Sequence, residues 1–169
     1  MAVIELTQGK VSVIDDSDYI LLKKYSWSYH KDGYAHSKIV WNGKPRMILM
    51  HRLIMGIVDN PKLMTDHIDM DGLNNKRSNL RVCNHTQNGY NRKSYKGSKS
   101  KYKGVTKRCV GNKWRARIRK DTKLINIGTF NTEEEAAIAY NKKAIELHGE
   151  FARINNIKKI GGGLSQHIN

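Results

Sequence analysis

The chain has 169 residues, with 31 Lys and Arg against 15 Asp and Glu, a formal net charge of +16 and a pI near 9.9. That length holds one ordinary domain or two small ones with modest cores, and that charge points to an anionic partner. No apolar run reaches the roughly 20 residues needed to cross a bilayer, and the start MAVIELTQGK lacks a basic region followed by an apolar stretch, so the sequence reads as soluble, unexported and cytoplasmic, with no membrane partner.

Residues 3–48 read as short strands, because Val3, Ile4, Val11, Val13 and Ile14 favour extended backbone and Gly9, Asp15, Asp16, Asp32, Gly33 and Gly43 punctuate them. A short apolar helix is expected at 51–57. The segment DHIDMDGLNNKRSNLRVC then places a polar Asp-Gly turn between two short strands, a hairpin with an enlarged loop. Asn84 followed by Gln87 three residues later has capping-box spacing, so a helix should start there and run to about Arg92. The stretch KSYKGSKSK at 93–101 has no apolar period and reads as a flexible linker.

Beyond it, YKGVTK, KWRARIRK and LINIGTF are three strand-like runs. The middle one alternates, with Trp114, Ala116 and Ile118 on one face and Arg115, Arg117 and Arg119 on the other, so one face is core and the other a row of arginines. Asn131 or Thr132 should start a helix whose Glu133, Glu134 and Glu135 suit its positive end. Its stripe of Ala136, Ala139, Tyr140, Lys143, Ala144 and Leu147 should cover the Trp114 face. The basic groups concentrate here: 93–123 holds 13 Lys or Arg and one acid, against 13 basic and 9 acidic groups in 1–92. Cys83 and Cys109 form no CxxC and no Cys/His cluster of zinc-finger spacing. Neither structural zinc nor a disulfide framework is expected, and both read as small buried apolar residues.

The densest polar cluster comprises Asp66, His67, Asp69, Asp71, Asn74, Asn75, Asn79, His85 and Asn88. A calcium-binding EF-hand loop with Gly72 at its sixth position would begin at His67 and end at Ser78, without either required carboxylate. The segments MHRLIMG at 50–56, TDHIDMDGLNNKRSNLRV at 65–82 and QNGYN at 87–91 instead resemble the HNH nucleases, particularly the phage and mobile-element homing type. The resemblance implies Asp66 as first metal ligand, His67 as general base, Asn79 as the residue fixing the loop and Asn88 as the helix-borne second ligand, standing where many members have His. It also implies a 5′-phosphate and a 3′-hydroxyl product.

Those residue types suit the chemistry. Neutral imidazole can take a proton from water near neutral pH. One carboxylate and one carboxamide suit a hard divalent ion, Mg²⁺ or alternatively Mn²⁺, that keeps several waters. Simpler structural roles fit the remaining polar residues: His51 as a packed, hydrogen-bonded histidine, Asp69 and Asp71 as turn formers, His85 as solvent-facing. Asn79 alone would read as a loop residue bridging backbone groups.

The motifs YKGV at 102–105, WRARIR at 114–119, IGTF at 127–130, EEAAIAY at 134–140 and HGEFARIN at 148–155 resemble the APETALA/ethylene-response-factor DNA-binding domain. That family lays its sheet in the major groove, which implies DNA contacts from Lys103, Arg117, Arg119 and Asn126. Arg115 is added by strand alternation alone. Asn126 stands where the plant domains use an aromatic residue, so their sequence preference does not transfer.

The expected fold is α+β. A β-rich region and ββα-metal nuclease module fill 1–93, with core motif 50–92. A linker at 94–101 precedes a three-stranded antiparallel sheet packed on one helix at 102–156, and a flexible tail occupies 157–169. The expected function is metal-dependent cleavage of double-stranded DNA by a homing or phage-encoded nuclease, monomeric or dimeric, with no obligate protein partner. Nicking and double-strand cutting both stay open. The rivals are a non-catalytic, transcription-factor-like DNA-binding protein with a degenerate nuclease module, and an RNA-directed protein.

Overall fold

The computed structural model describes residues 2–41, 43–92 and 97–157, and the chain divides into two compact units, Met1–Asn91 and Arg92–Asn169. Its architecture is α+β, as expected, built from four small antiparallel sheets among the described residues.

In the first unit, β1 (Ala2–Glu5) pairs with β2 (Val11–Ile14), and α1 (Asp16–Leu22) follows directly. A three-stranded sheet of β3 (Ser28–Tyr29), β4 (Ala35–Trp41) and β5 (Lys44–Leu49) leads into α2 (Met50–Ile54). Then come the hairpin of β6 (Met64–His67) and β7 (Leu80–Cys83) and the short helix α3 (His85–Tyr90). Ile4, Ile14, Leu22, Trp27, Met50 and Leu80 join in one buried cluster, so nearly every element of the unit contributes to a single core.

The helix α1 departs from the expectation of strands throughout 3–48. Asp15 and Asp16 are not turn punctuation: Asp15 is the extended residue before the helix, and Asp16 and Asp18 fill its first turn, where acids suit the positive end. Leu22 is fully buried. Helix α2 is shorter than expected, because Gly56 at φ 67° ends it in a left-handed turn, with the Gly56 N–H on the Leu53 carbonyl and the Ile57 N–H on the Arg52 carbonyl. At α3 the capping box is complete: the Gln87 N–H donates to Asn84 Oδ1 and the Asn84 N–H to Gln87 Oε1, each at 2.9 Å, and the helix ends at Tyr90.

The loop 68–79 between β6 and β7 is held against β2 and α1. Val13 N donates to the Leu73 carbonyl and Asn75 N to the Val13 carbonyl, so the loop adds itself to β2 as a short parallel bridge. Arg77 places Nε and Nη2 on the carboxylate of buried Asp18, while its own N–H donates to Asp15 Oδ2. Gly72 is required by space rather than by backbone sign, since a Cβ there would sit 2.3 Å from the Gly33 carbonyl oxygen and 2.7 Å from the Tyr34 ring. The left-handed residue of this loop is Met70, at φ 66°.

In the second unit, β8 (Val105–Lys107), β9 (Trp114–Lys120) and β10 (Lys123–Phe130) form an antiparallel sheet in the order β10-β9-β8, covered by α4 (Glu133–His148). Thr132 caps α4 in a capping box with Glu135. Ala116 and Ile118 are buried beneath Ala136, Ala137, Tyr140 and Ala144. The expected stripe is thus rotated slightly: Ala137 and His148 are buried, whereas Ala139, Lys143 and Leu147 are half-buried. His148 is held inside by a 2.8 Å bond between Nε2 and the Arg119 carbonyl. Gly104, at φ 76°, lets the backbone pass under the Tyr140 ring, with which a Cβ would collide at 2.2 Å.

Residues 100 and 101 are not slack chain. Ser100 is buried and its hydroxyl donates to Glu133 Oε1 at 2.6 Å, with Lys101 N on the same oxygen, a tie that Gly/Ser/Lys composition does not reveal. Of the expected linker and tail, 93–96 and 158–169 lie outside the described residues. Cys83 is buried, and burial pushes its thiol up to about 11, but Cys109 is exposed, contrary to expectation, because it follows β8 in a turn that faces solvent.

Candidate active site

The register of the β6–β7 hairpin fixes the first polar layer of the site. Asp66 lies opposite Arg81 and His67 opposite Leu80. Arg81 donates from Nε and Nη2 to Asp66 Oδ2 at 2.8 and 2.6 Å, and both side chains are nearly buried. Asn91, just beyond α3, donates from Nδ2 to both carboxylate oxygens at 3.1 Å and to the His67 carbonyl at 3.0 Å. Oδ2 is therefore well used, while Oδ1 accepts only from Asn91 among these contacts.

Asn88 lies on α3, which packs on β6 and β7, with its Nδ2 3.6 Å from Met64 Sδ. With the amide nitrogen at the thioether, the carbonyl oxygen is the atom left for another partner. The side chain of this helical region that hydrogen-bonds Asp66 is Asn91, three residues further along. The donor set still fits a hard cation: Asp66 Oδ1 has lone pairs to spare and Asn88 offers an amide oxygen. Among the described residues no cluster of three or more His, Cys, Asp or Glu is arranged to hold a metal, so most of an ion's shell would come from water and substrate.

His67 is buried at the end of β6, its ring 5.0 Å from that of His51 in an edge contact and 5.7 Å from the tilted ring of Tyr34. Its Nε2 is 3.1 Å from Asn75 Oδ1. Burial lowers its pKa, against the opposing pull of the Asn75 bond and of Asp69, Asp66 and Asp71. His51 is packed, but ring contacts rather than hydrogen bonds surround it, and its Nδ1 has no partner among the described residues. Burial, followed by His67 and Arg52, drives its pKa down to about 3. His85 is exposed.

Asn79 draws the loop closed. Its Oδ1 accepts from Asp69 N at 3.1 Å, and Nδ2 donates to Asp69 Oδ1 and to the Asn74 carbonyl. Asp69 Oδ1 also accepts from Asp71 N, and Asp71 Oδ1 from Leu73 N, so both acids form Asx turns. Burial alone would raise the Asp69 carboxyl, but the Asp71 N–H and the amides of Asn74 and Asn79 bring it below its ordinary value.

The second unit presents a cationic sheet face. Arg115 lies between Thr106 and Thr129, Arg117 beside Asn126, and Arg119 beside Leu124. The register shifts between Asn126 and Gly128, which keeps Asn126 on the arginine face while Ile127 packs toward the core. Among the described residues no carboxylate forms an ion pair with Arg115, Arg117 or Arg119. Lys103 is half-buried, as Arg115 and Arg117 are, but its backbone N–H and carbonyl are clamped by Asn155, and burial beside Arg153 lowers its ammonium to about 8.

Sequence reasoning assigned no role to Arg81, Asn91, Asn75 or Ser12. Arg81 was within reach of a register argument, had the length of the loop not left the register open. Asn91 shares a helical face with Asn88 by its three-residue spacing.

No family model matches the chain. It is 35% identical over 154 residues, 89% of its own length and 77% of the relative's, to an uncharacterized HNH endonuclease of Acanthamoeba polyphaga mimivirus. To Protein 3.8 of Escherichia phage T7 it is 34% identical over 88 residues, 52% of this chain and 72% of that one. A stretch of 58 residues, 33% of the chain, is 45% identical to an ethylene-responsive transcription factor of Arabidopsis thaliana, of which it spans 14%.

Proposed function

This chain belongs to the HNH endonuclease family, and from that premise we propose that it hydrolyses phosphodiester bonds of double-stranded DNA in a metal-dependent reaction, its second unit holding the duplex through the arginine face of the sheet. The observation that carries the reading is the pairing, at the end of β6, of a buried imidazole with a carboxylate whose Oδ1, accepting from Asn91, keeps a lone pair for a further partner.

His67 takes the proton of a water as that water attacks phosphorus and the bond to the 3′ oxygen breaks; the departing 3′ oxygen takes a proton from solvent water, leaving a 5′-phosphate and a 3′-hydroxyl. Lowering of its pKa by burial keeps the ring neutral and ready to accept at neutral pH. Arg81 and Asn91 orient the Asp66 carboxylate. Asp66 and Asn88 would hold a divalent cation, Mg²⁺ or Mn²⁺, which when bound supplies Lewis-acid stabilisation of the charge on the phosphoryl and 3′ oxygens. Arg115, Arg117 and Arg119, with Asn126 between them, meet phosphates and base edges, and the polyanion relieves the mutual repulsion of the row.

The test is supercoiled plasmid incubated with the full chain in Mg²⁺ or in EDTA. Relaxed or linear product in Mg²⁺, absent in EDTA and absent with His67→Ala, supports the reading. Plasmid that is bound but never cut in any divalent metal replaces it with a DNA-binding protein that has lost its nuclease activity.

A further inference from the structure

We propose that Asn75 is a positioning residue for this reaction: held from behind by Ser12, it fixes which ring nitrogen of His67 carries the proton. The inference rests on reading His67 as the base.

Asn75 and Ser12 are both 0% exposed, and they come from segments 63 residues apart. Hydrogen-bond polarity can be followed link by link from a group that only accepts. The Ser12 hydroxyl lies 3.0 Å from the Leu73 carbonyl oxygen and 3.3 Å from Met50 Sδ, both acceptors, so its proton is spent there. Its lone pair then accepts from Asn75 Nδ2 at 2.7 Å. The same nitrogen also faces the Gly72 carbonyl at 3.4 Å and Met50 Sδ at 3.6 Å. Turning the amide over would point its oxygen at these acceptors, so the nitrogen stays on the Ser12 side and Oδ1 faces His67.

An amide oxygen only accepts. The bond of 3.1 Å between Asn75 Oδ1 and His67 Nε2 therefore requires the proton on Nε2, and in the neutral ring it leaves the lone pair on Nδ1. The backbone of Asn75 is anchored on β2 through its N–H to Val13, and the Tyr34 and His51 rings set the plane of the imidazole. Asn75 thus acts apart from Asn79, whose bonds all lie within the loop. A wholly buried amide is costly unless every donor and acceptor is matched, and here the matching ends on the base.

The decisive measurement is the nitrogen NMR spectrum of the His67 ring in the full wild-type chain, in metal-free, mildly alkaline buffer. The expected signature is a protonated Nε2 and an unprotonated Nδ1. A ring protonated at Nδ1, or a rapid mixture of both forms, overturns the proposal without any variant. Asn75→Leu should lose the single tautomer and reduce kcat by at least about tenfold, within the roughly 10²–10⁴ that a general base contributes, with the Kd for DNA unchanged. Ser12→Ala, which removes only the rear support, should give a smaller drop in kcat and a partial tautomer mixture. If the tautomer is lost in Asn75→Leu but kcat is not, the positioning role is wrong. Failure of the base reading itself shows separately, as a His67→Ala chain that still cleaves at the wild-type rate.

Discussion

His67 and Asp66 are neighbours in sequence but their side chains are held by different partners, Asn75 for the imidazole and Arg81 with Asn91 for the carboxylate, and substitutions should separate them. Because Asp66 is buried against Arg81, its replacement by Ala would strand a buried guanidinium; Asp66→Asn keeps an oxygen for Arg81 and Asn91 while removing the charge. We expect Asp66→Asn to lose cleavage by roughly a hundredfold or more with folding and DNA affinity retained, measured by plasmid cleavage beside a binding titration. Asn88→His exchanges an amide oxygen for an imidazole and should move the preferred ion from Mg²⁺ toward Mn²⁺ or Ni²⁺; identical activity across a metal series would remove Asn88 from the ion's shell. His51 gives a pH prediction. Its folded pKa of about 3 lies below the ordinary 6.5, so between those values the unfolded chain binds the extra proton. Its contribution to stability is complete above pH 6.5 and declines as pH falls toward 3, by up to about 1.4 kcal/mol per unit. His51→Phe should flatten that part of the stability curve in urea titrations, and an unchanged slope would show that His51 is not what titrates.

Among the elements, the loop 68–79 depends on β2 and α1, which lie far from it in sequence. The Asp18–Arg77 pair joins them unevenly: the Asp18 side chain is 5% exposed and that of Arg77 52%. Arg77→Ala leaves a buried carboxylate without its guanidinium and should cost about 1–3 kcal/mol, whereas Asp18→Asn returns Arg77 to water and should cost less. Urea unfolding of the two variants measures the order, and equal costs would mean that the pair is no anchor. The sequence made the β6–β7 hairpin, its polar loop and the α3 cap legible, because turn chemistry and capping act over a few residues. It hid α1, since Asp15 and Asp16 serve equally well to punctuate a turn or to begin a helix. The bulge near Ile127 was equally hidden, because a period-two pattern cannot show where one residue is skipped.

At the level of the whole chain, the proposed cleavage site and the proposed duplex-binding face belong to different compact units. A fragment of residues 97–157 should bind duplex DNA without cutting it, and the fragment 1–92 should cleave weakly in Mg²⁺ with little site preference. In the full chain, Arg117→Ala or Arg119→Ala should weaken binding and reduce the slope of log K against log salt by about 0.9 for each phosphate that is no longer neutralised. If the arginine instead reads a base edge, its removal should cost about 1–3 kcal/mol at a single position of the preferred site, with little change on random duplex. Unaltered affinity on both duplexes would remove the arginine face from DNA binding.

Composition and local pattern by themselves determined the excess of positive charge, the hairpin-helix motif, the alternating arginine strand and the capped helix behind it, because charge, period and capping are properties of neighbouring residues. Only the tertiary structure decided that Arg81 and Asn91 hold Asp66, that Lys103 is half-buried rather than displayed, and that Asn75, backed by Ser12 of β2, faces His67. Those arrangements depend on hairpin register across a long loop and on the docking of segments up to 63 residues apart, which no local pattern encodes.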